Sequence, residues 1–318
     1  MLSDHQHAVI LIGGPDAGKS NFLFRLWIAI DRGAGSLVKD GLPEEIEYLR
    51  AGAEKLLEGE FAERTSKEVH EHVMVPVKSS ASPDTIKGIL VVPDLPGEQI
   101  LSICRYRQWS QAWENLIQGR CASLLFIRAG SDEIVAPLDW AGCFERYGAP
   151  IEPPKADEQA LESCPVGSIG SDALQEGGEN SVKLPTQVVL TEWLQFLRQA
   201  FTAVVGGSFR PRIGMVISGW DEVPNDLKPA GPSAYLRDNF PMLAQFIEAN
   251  DHQFEFQTFG VTIVDGDLKK DEEFKEEYLS GRPQEFGSVV HLLSGQLATS
   301  RDVTLPIAWA LGIPPYNS

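Results

Sequence analysis

The chain predicts an α/β fold: a mostly parallel sheet with helices on both faces and one antiparallel edge strand. Apolar runs of strand length alternate with helical patterns from residue 8 to residue 264. The first run leads directly into a glycine-rich loop and then a helix. A single pair of runs, Val69–Val77 and Ile86–Val92, is joined closely enough for an antiparallel hairpin.

Ala8-Val9-Ile10-Leu11-Ile12 is apolar at every position, as a strand buried on both faces requires. Gly13-Gly14-Pro15-Asp16-Ala17-Gly18-Lys19-Ser20 follows and fits G-x-x-x-x-G-K-[ST], a phosphate-binding loop in its strand–loop–helix setting. Glycines let backbone N–H groups wrap phosphate oxygens without Cβ clashes. Lys19 supplies positive charge to the β- and γ-phosphates, and Ser20 offers a hydroxyl to Mg²⁺. Asn21, the next residue, is counted with the nucleotide contacts.

Ser20–Ile30 reads as the first helix, ended by Asp31-Arg32-Gly33-Ala34-Gly35. Residues 36–68 are mixed, with helical stretches near Glu44–Arg50 and Ala53–Leu57. In Val69–Val77 the residues Val73, Val75 and Val77 share a face, and Pro76, which cannot donate to a ladder, predicts an edge strand. Ser79–Asp84 is a turn and Ile86–Val92 a buried strand. Gln99–Gln118, with Trp109, Trp113 and Leu116, has helical spacing, and Leu124–Ile127 is the next strand. Ile151–Asn180 holds seven acids and one lysine among Pro, Gly and Ser, and reads as a mobile insertion within a single domain spanning 1–318. Thr186–Val205 (helix), Arg212–Ser218 (strand), Ser233–Asn250 (helix), Phe254–Val264 (strand) and Gly287–Thr299 (helix) complete the expected order.

A net charge of −18 and a pI near 4.7 argue against general binding to nucleic acid or anionic membranes, because such a field repels phosphates beyond the local loop. Cys104, Cys121, Cys143 and Cys164 form no C-x-x-C pair, so reduced thiols are expected rather than a zinc site. The start, Met1 to His7, lacks the basic and apolar regions of a signal peptide, and Arg25 interrupts the most apolar helix. A cytoplasmic protein with no transmembrane segment is the expectation.

After the buried strand comes Pro93-Asp94-Leu95-Pro96-Gly97-Glu98. An aspartate at a strand end suits water-mediated Mg²⁺ ligation, and Gly97 can present its N–H to a γ-phosphate; Asp-Leu-Pro-Gly is equally a turn sequence. Thr65 stands where a second Mg²⁺ hydroxyl is needed, with Ser66 as the fallback and a local backbone bond as the plain alternative. The strand Ile213–Ile217 leads into Ser218-Gly219-Trp220-Asp221-Glu222. The Asp221 carboxylate can accept from guanine N1 and N2, or it can cap the segment that follows.

These pieces in this order resemble the Ras-like P-loop GTPases of the translation-factor class. More closely, Pro93–Glu98 with Trp109, Phe126-Ile127-Arg128, Ser218–Asp221 and Phe259-Gly260-Val261-Thr262 are similar to the bacterial double-GTPase family of conflict and defence systems. The resemblance implies GTP as substrate and GDP as product, Mg²⁺ held by Ser20, Thr65 and Asp94, and a protein partner such as a second GTPase or an effector subunit. It also implies roles in catalysis for Lys19, Thr65 and Glu98. Ser218 and Gly219 replace the first two positions of the usual [NT]-K-x-D, so the lysine stem that packs on the base is missing and Trp220 is an alternative cover. Thr262-Ile263 stands where a backbone contact to guanine O6 is expected, and Glu98 where a water-orienting glutamine is usual. An ATPase subunit of a larger machine and a non-hydrolysing nucleotide-binding scaffold are the competing functions. His70 and His72 read as an exposed pair rather than a two-histidine metal site, Arg105 and Arg107 as surface ion-pairing residues rather than an internal arginine finger, and Trp109 and Trp113 as helix core rather than a partner-binding face.

Overall fold

Nine strands form one sheet in the order β2-β3-β4-β1-β5-β6-β7-β8-β9. The computed structural model describes residues 7–14, 16–62, 72–82, 86–93, 121–131, 185–205, 210–282 and 285–314. Their elements belong to a compact unit built from residues 1–134 and 187–318. Pro15, Thr65, Ser66, His70, Asp94, Gly97, Glu98, Arg105, Arg107, Trp109, Trp113 and the acidic segment 151–180 lie outside the described residues.

The five central strands are parallel: β4 (Lys87–Pro93), β1 (His7–Gly13), β5 (Cys121–Arg128), β6 (Arg212–Ser218) and β7 (Glu255–Thr262). Alternate β1 residues enter two cores. Val9 and Leu11 pack with α1 (Lys19–Arg32), α2 (Ile46–Leu57) and α7 (Leu305–Leu311). Ala8, Ile10 and Ile12 pack with α3 (Thr186–Val205), α4 (Gly231–Asn239) and α5 (Pro241–Ala249). Burial on both sides is why these strands are apolar at consecutive positions.

One edge is antiparallel as expected, but β3 (His72–Ser79) is not its outermost strand. The three-residue β2 (Leu37–Lys39) pairs outside it, Val38 opposite Lys78. Pro76 is tolerated because its carbonyl faces the β2 side, where it accepts from Asp40 N at 3.0 Å. Its N–H-less nitrogen faces that same side, beyond the end of β2 at Lys39.

The second edge corrects the expected helix at Gly287–Thr299. Those residues form the hairpin of β8 (Ser288–Leu293) and β9 (Gln296–Ser300), antiparallel to β7. Its turn residues Ser294 and Gly295 have φ of 51° and 81°, the left-handed pair of a two-residue hairpin turn. The expected helix at Ser233–Asn250 is broken into α4 and α5 because Phe240, ahead of Pro241, is forced out of the helical region, with φ −133° and ψ 56°. Two helices were not anticipated: α6 (Glu272–Ser280), capped by the Asp271 side chain accepting from Phe274 N, and α7.

Candidate functional site

The phosphate loop joins β1 to α1 at the C-terminal edge of the central strands. Its backbone leaves no room for side chains at two glycines. A Cβ on Gly13 would lie 2.8 Å from Phe126 O in β5, and one on Gly18, whose φ is +84°, would lie 2.6 Å from Ser218 Oγ. Lys19 extends back over the loop, with Nζ donating to Gly13 O (2.7 Å) and Gly14 O (2.9 Å). Ala17 is buried beneath the loop, and Ser20 sits in the first turn of α1. Asn21 accepts from Ala62 N at 2.9 Å, so its side chain ties α1 to the chain that leaves α2.

Ser218, grouped by sequence with the base contacts, braces the phosphate loop. Its buried hydroxyl donates to Ala17 O at 2.8 Å. A second tie crosses the mouth of the site. Arg128 at the end of β5 donates to Asp16 Oδ1 (3.3 Å) and to Glu222 Oε1 (2.8 Å), and Ser131 Oγ donates to Asp16 Oδ2 (3.0 Å). The Glu222 hydrogen bond raises the Arg128 pKa, with Asp16 adding to it, so the guanidinium stays charged between the two loops.

At the C-terminal end of β6, Gly219 turns the chain with φ 66° into a 3-10 turn, Trp220–Glu222. The Trp220 ring is buried, meets Tyr235 edge-on at 5.9 Å, and lies where a Cβ on Gly260 would come within 2.4 Å of it. It therefore forms an inner wall of the site. Asp221 is brought near Thr262 of the next strand, whose side chain favours the ionised carboxylate. Lys228 Nζ donates to Asp221 O (2.9 Å) and Asn225 Oδ1 (3.0 Å). Burial pushes the Asp221 carboxyl up to about 6, the neighbouring Glu222 adds to the rise, and Lys228 and Thr262 oppose it. These residues face a cavity of about 410 Å³ whose walls also include Asp265, Ser288 and Thr299. Ile263 is not among the residues lining that cavity; its carbonyl accepts from Arg25 Nε of α1 at 3.2 Å.

The structure thus brings together Gly13, Gly14, Asp16, Ala17, Gly18, Lys19 and Ser20 at one end, and Trp220, Asp221 and Thr262 at the other, with Ser218 between them. Sequence reasoning missed Arg25, Arg128 and Lys228. A lone arginine inside the apolar run Phe22–Ile30 was a usable signal, because an ion is held in such a run only where polar partners meet it. Among the described residues no group of three or more His, Cys, Asp or Glu is placed to hold a metal ion.

The sequence profile of the Double-GTPase 1 family matches residues 10–310. The chain belongs to that family. Membership in the Double-GTPase 1 family, together with the phosphate loop, supports GTP binding by a P-loop GTPase-type protein. No curated protein matches the chain. Solved structures similar to it include the bacterial selenocysteine-specific elongation factor EF-Sec, at 12% identity and a TM-score of 0.29 over 86% of this chain and 28% of that one. This Double-GTPase 1 member therefore spans less than a third of that protein's length. Among its described residues no helix is long and apolar enough to cross a membrane.

Proposed function

We propose that the chain is a Mg²⁺-dependent, GTP-binding molecular switch that hydrolyses GTP slowly on its own and works with a protein partner, such as a second GTPase or an effector subunit. The observation that carries this reading is the convergence of Asp221 and Thr262 on one cavity, in a sheet whose β6 also braces the phosphate loop through Ser218. Two acceptors of an ionised Asp221 match the two donors on guanine N1 and N2, whereas adenine presents no such pair.

Ser20, Thr65 and Asp94 supply the hydroxyl and carboxylate oxygens that suit a hard divalent cation, and Mg²⁺ held there would neutralise charge on the β- and γ-phosphates. Lys19, on the inner side of the loop, would exchange its two carbonyl bonds for phosphate oxygens. Glu98 stands where a neutral glutamine would orient water. A carboxylate about 5 Å from the γ-phosphate would be repelled by about 3 kcal/mol per unit charge at an effective dielectric near 20. An intrinsic rate of about 10⁻⁴ to 10⁻² s⁻¹ follows, raised when a partner rearranges that loop. The family resemblance supports a bacterial conflict or defence context, and four cysteines without a C-x-x-C pair fit reduced thiols in a cytoplasm.

Competition of GTP, GDP and ATP against a fluorescent guanine nucleotide tests the reading. GTP and GDP displace the probe and ATP does not. Equal displacement by ATP would favour an ATPase, and tight GTP binding without any single-turnover hydrolysis would favour a scaffold.

A further inference from the structure

Beyond the last ladder pair of β7 and β8, Thr262 opposite Ser288, the two chains turn apart as the segments 263–265 and 286–287. They stay close: Gly287 has φ +83°, and a Cβ there would lie 2.7 Å from Ile263 O and 2.9 Å from Thr262 O. Two arginines, from different parts of the sequence, bridge this junction. From below, Arg25 of α1 is 2% exposed and donates Nε to Ile263 O (3.2 Å) and Nη2 to Phe286 O (2.8 Å). From above, Arg301 donates Nη1 to Gly287 O (3.1 Å) and to Asp265 Oδ2. Each guanidinium therefore holds one group on either segment, Arg25 through two nitrogens of its planar fork and Arg301 through Nη1 alone.

The clamped segments contain Asp265 and run directly on from Thr262 and Ser288, and all three residues line the cavity together with Asp221. Arg25 sits on the same helix whose first residues are Lys19 and Ser20. The phosphate end and the base end of the site are thus set at a fixed spacing by α1. Burying a guanidinium is costly: burial lowers its pKa to about 10, which still leaves it charged at neutral pH.

We infer that Arg25 and Arg301 are a pair of positioning residues that fix the width of the cavity opposite Asp221 and so set discrimination among purine bases. The inference rests on that cavity being the base site. It predicts that loosening the clamp lowers selectivity for the base while leaving selectivity for the phosphates alone.

The test measures competition by GTP, GDP, ADP and IDP, the last differing from GDP only in lacking the 2-amino group, against a fluorescent guanine nucleotide, with melting temperature recorded alongside. Arg301→Gln is the primary variant because Arg301 is exposed and its loss leaves the core intact. Arg25→Lys is the second, and Arg301→Gln carries the test if Arg25→Lys does not fold. The expected result is a fall of at least about threefold in the GDP-to-IDP affinity ratio for Arg301→Gln, and about tenfold for Arg25→Lys, with the GTP-to-GDP ratio unchanged. An unchanged GDP-to-IDP ratio in Arg301→Gln overturns the inference, as does a parallel fall of both ratios with the melting temperature. A wild-type protein that does not distinguish GDP from ADP overturns the base-site reading itself.

Discussion

Replacing Asp221 with Asn should stabilise the fold and weaken its ligand at the same time. The Asp221 carboxyl rises from 3.8 to about 6 in the folded chain, so the folded state holds its proton more tightly than the unfolded chain does. Its contribution to stability is therefore fully present below about pH 3.8 and is lost as pH rises through 6. A shift of about two units corresponds to at most about 3 kcal/mol. Because the group keeps partial contact with water, about 1–2 kcal/mol is the working figure. At about 2.1 cal/mol/K per residue over the whole chain, Asp221→Asn should raise the melting temperature by about 1.5–3 °C at pH 7.5 and by nothing near pH 4. GTP affinity should fall about 10- to 100-fold through loss of one charge-assisted hydrogen bond, while xanthosine nucleotides, with an oxygen in place of the 2-amino group, gain. Under the proposed guanine contact the same carboxyl must be ionised in the wild type, so GDP affinity should drop about tenfold per pH unit below 6. Scanning calorimetry at the two pH values and titration calorimetry with GDP read these quantities. A lower melting temperature for Asp221→Asn at pH 7.5, or the same difference at both pH values, would refute the burial argument.

Lys19→Ala should leave the chain folded but cut nucleotide affinity by at least about tenfold, since each charge-assisted bond to phosphate contributes about 1.5–3 kcal/mol; titration calorimetry that finds undiminished affinity would remove Lys19 from the site. Ser218→Ala removes the bond to Ala17 O, so it should destabilise by about 1 kcal/mol and weaken every nucleoside triphosphate alike. A change confined to the preference for guanine would instead place Ser218 on the base. Arg128→Met unties Asp16 from Glu222 and should speed GDP release a few-fold in stopped-flow at low salt, with the difference vanishing near 1 M salt. A salt-independent effect would mean that the Arg128 stem, not its charge, matters.

The phosphate loop, Asp221 and Thr262 were legible because each is a short string at a strand end, and strand ends follow from local apolar pattern. Arg25 and Arg128 were not, because their partners stand 238 and 94 or more residues away in sequence, and only the folded sheet brings them together. The β8–β9 hairpin was misread for a different reason. Val289, Leu292, Leu293 and Leu297 fall at helical spacing, which outweighed the Ser294-Gly295 turn signal between two β-prone runs. The strand β2 is three residues long and lies below the length at which periodicity registers. The break between α4 and α5 was available from Pro241 alone, had the restriction on the residue before proline been applied.

The position of β1 gives the molecule a suture. Residue 8 lies opposite residue 89 on one side and residue 121 on the other, so the first strand in the sequence joins the β2–β4 leaf to the β5–β9 leaf. Closing the seam on its two sides requires chain segments 81 and 113 residues apart in sequence to meet, which is the slow kind of step in folding. The phosphate loop is the end of that same strand. A nucleotide gripped there engages only chains in which the seam is closed, adding about 2.7 kcal/mol to the completed sheet at a hundredfold excess over its Kd. Refolding yield should accordingly depend on which nucleotide is in the buffer.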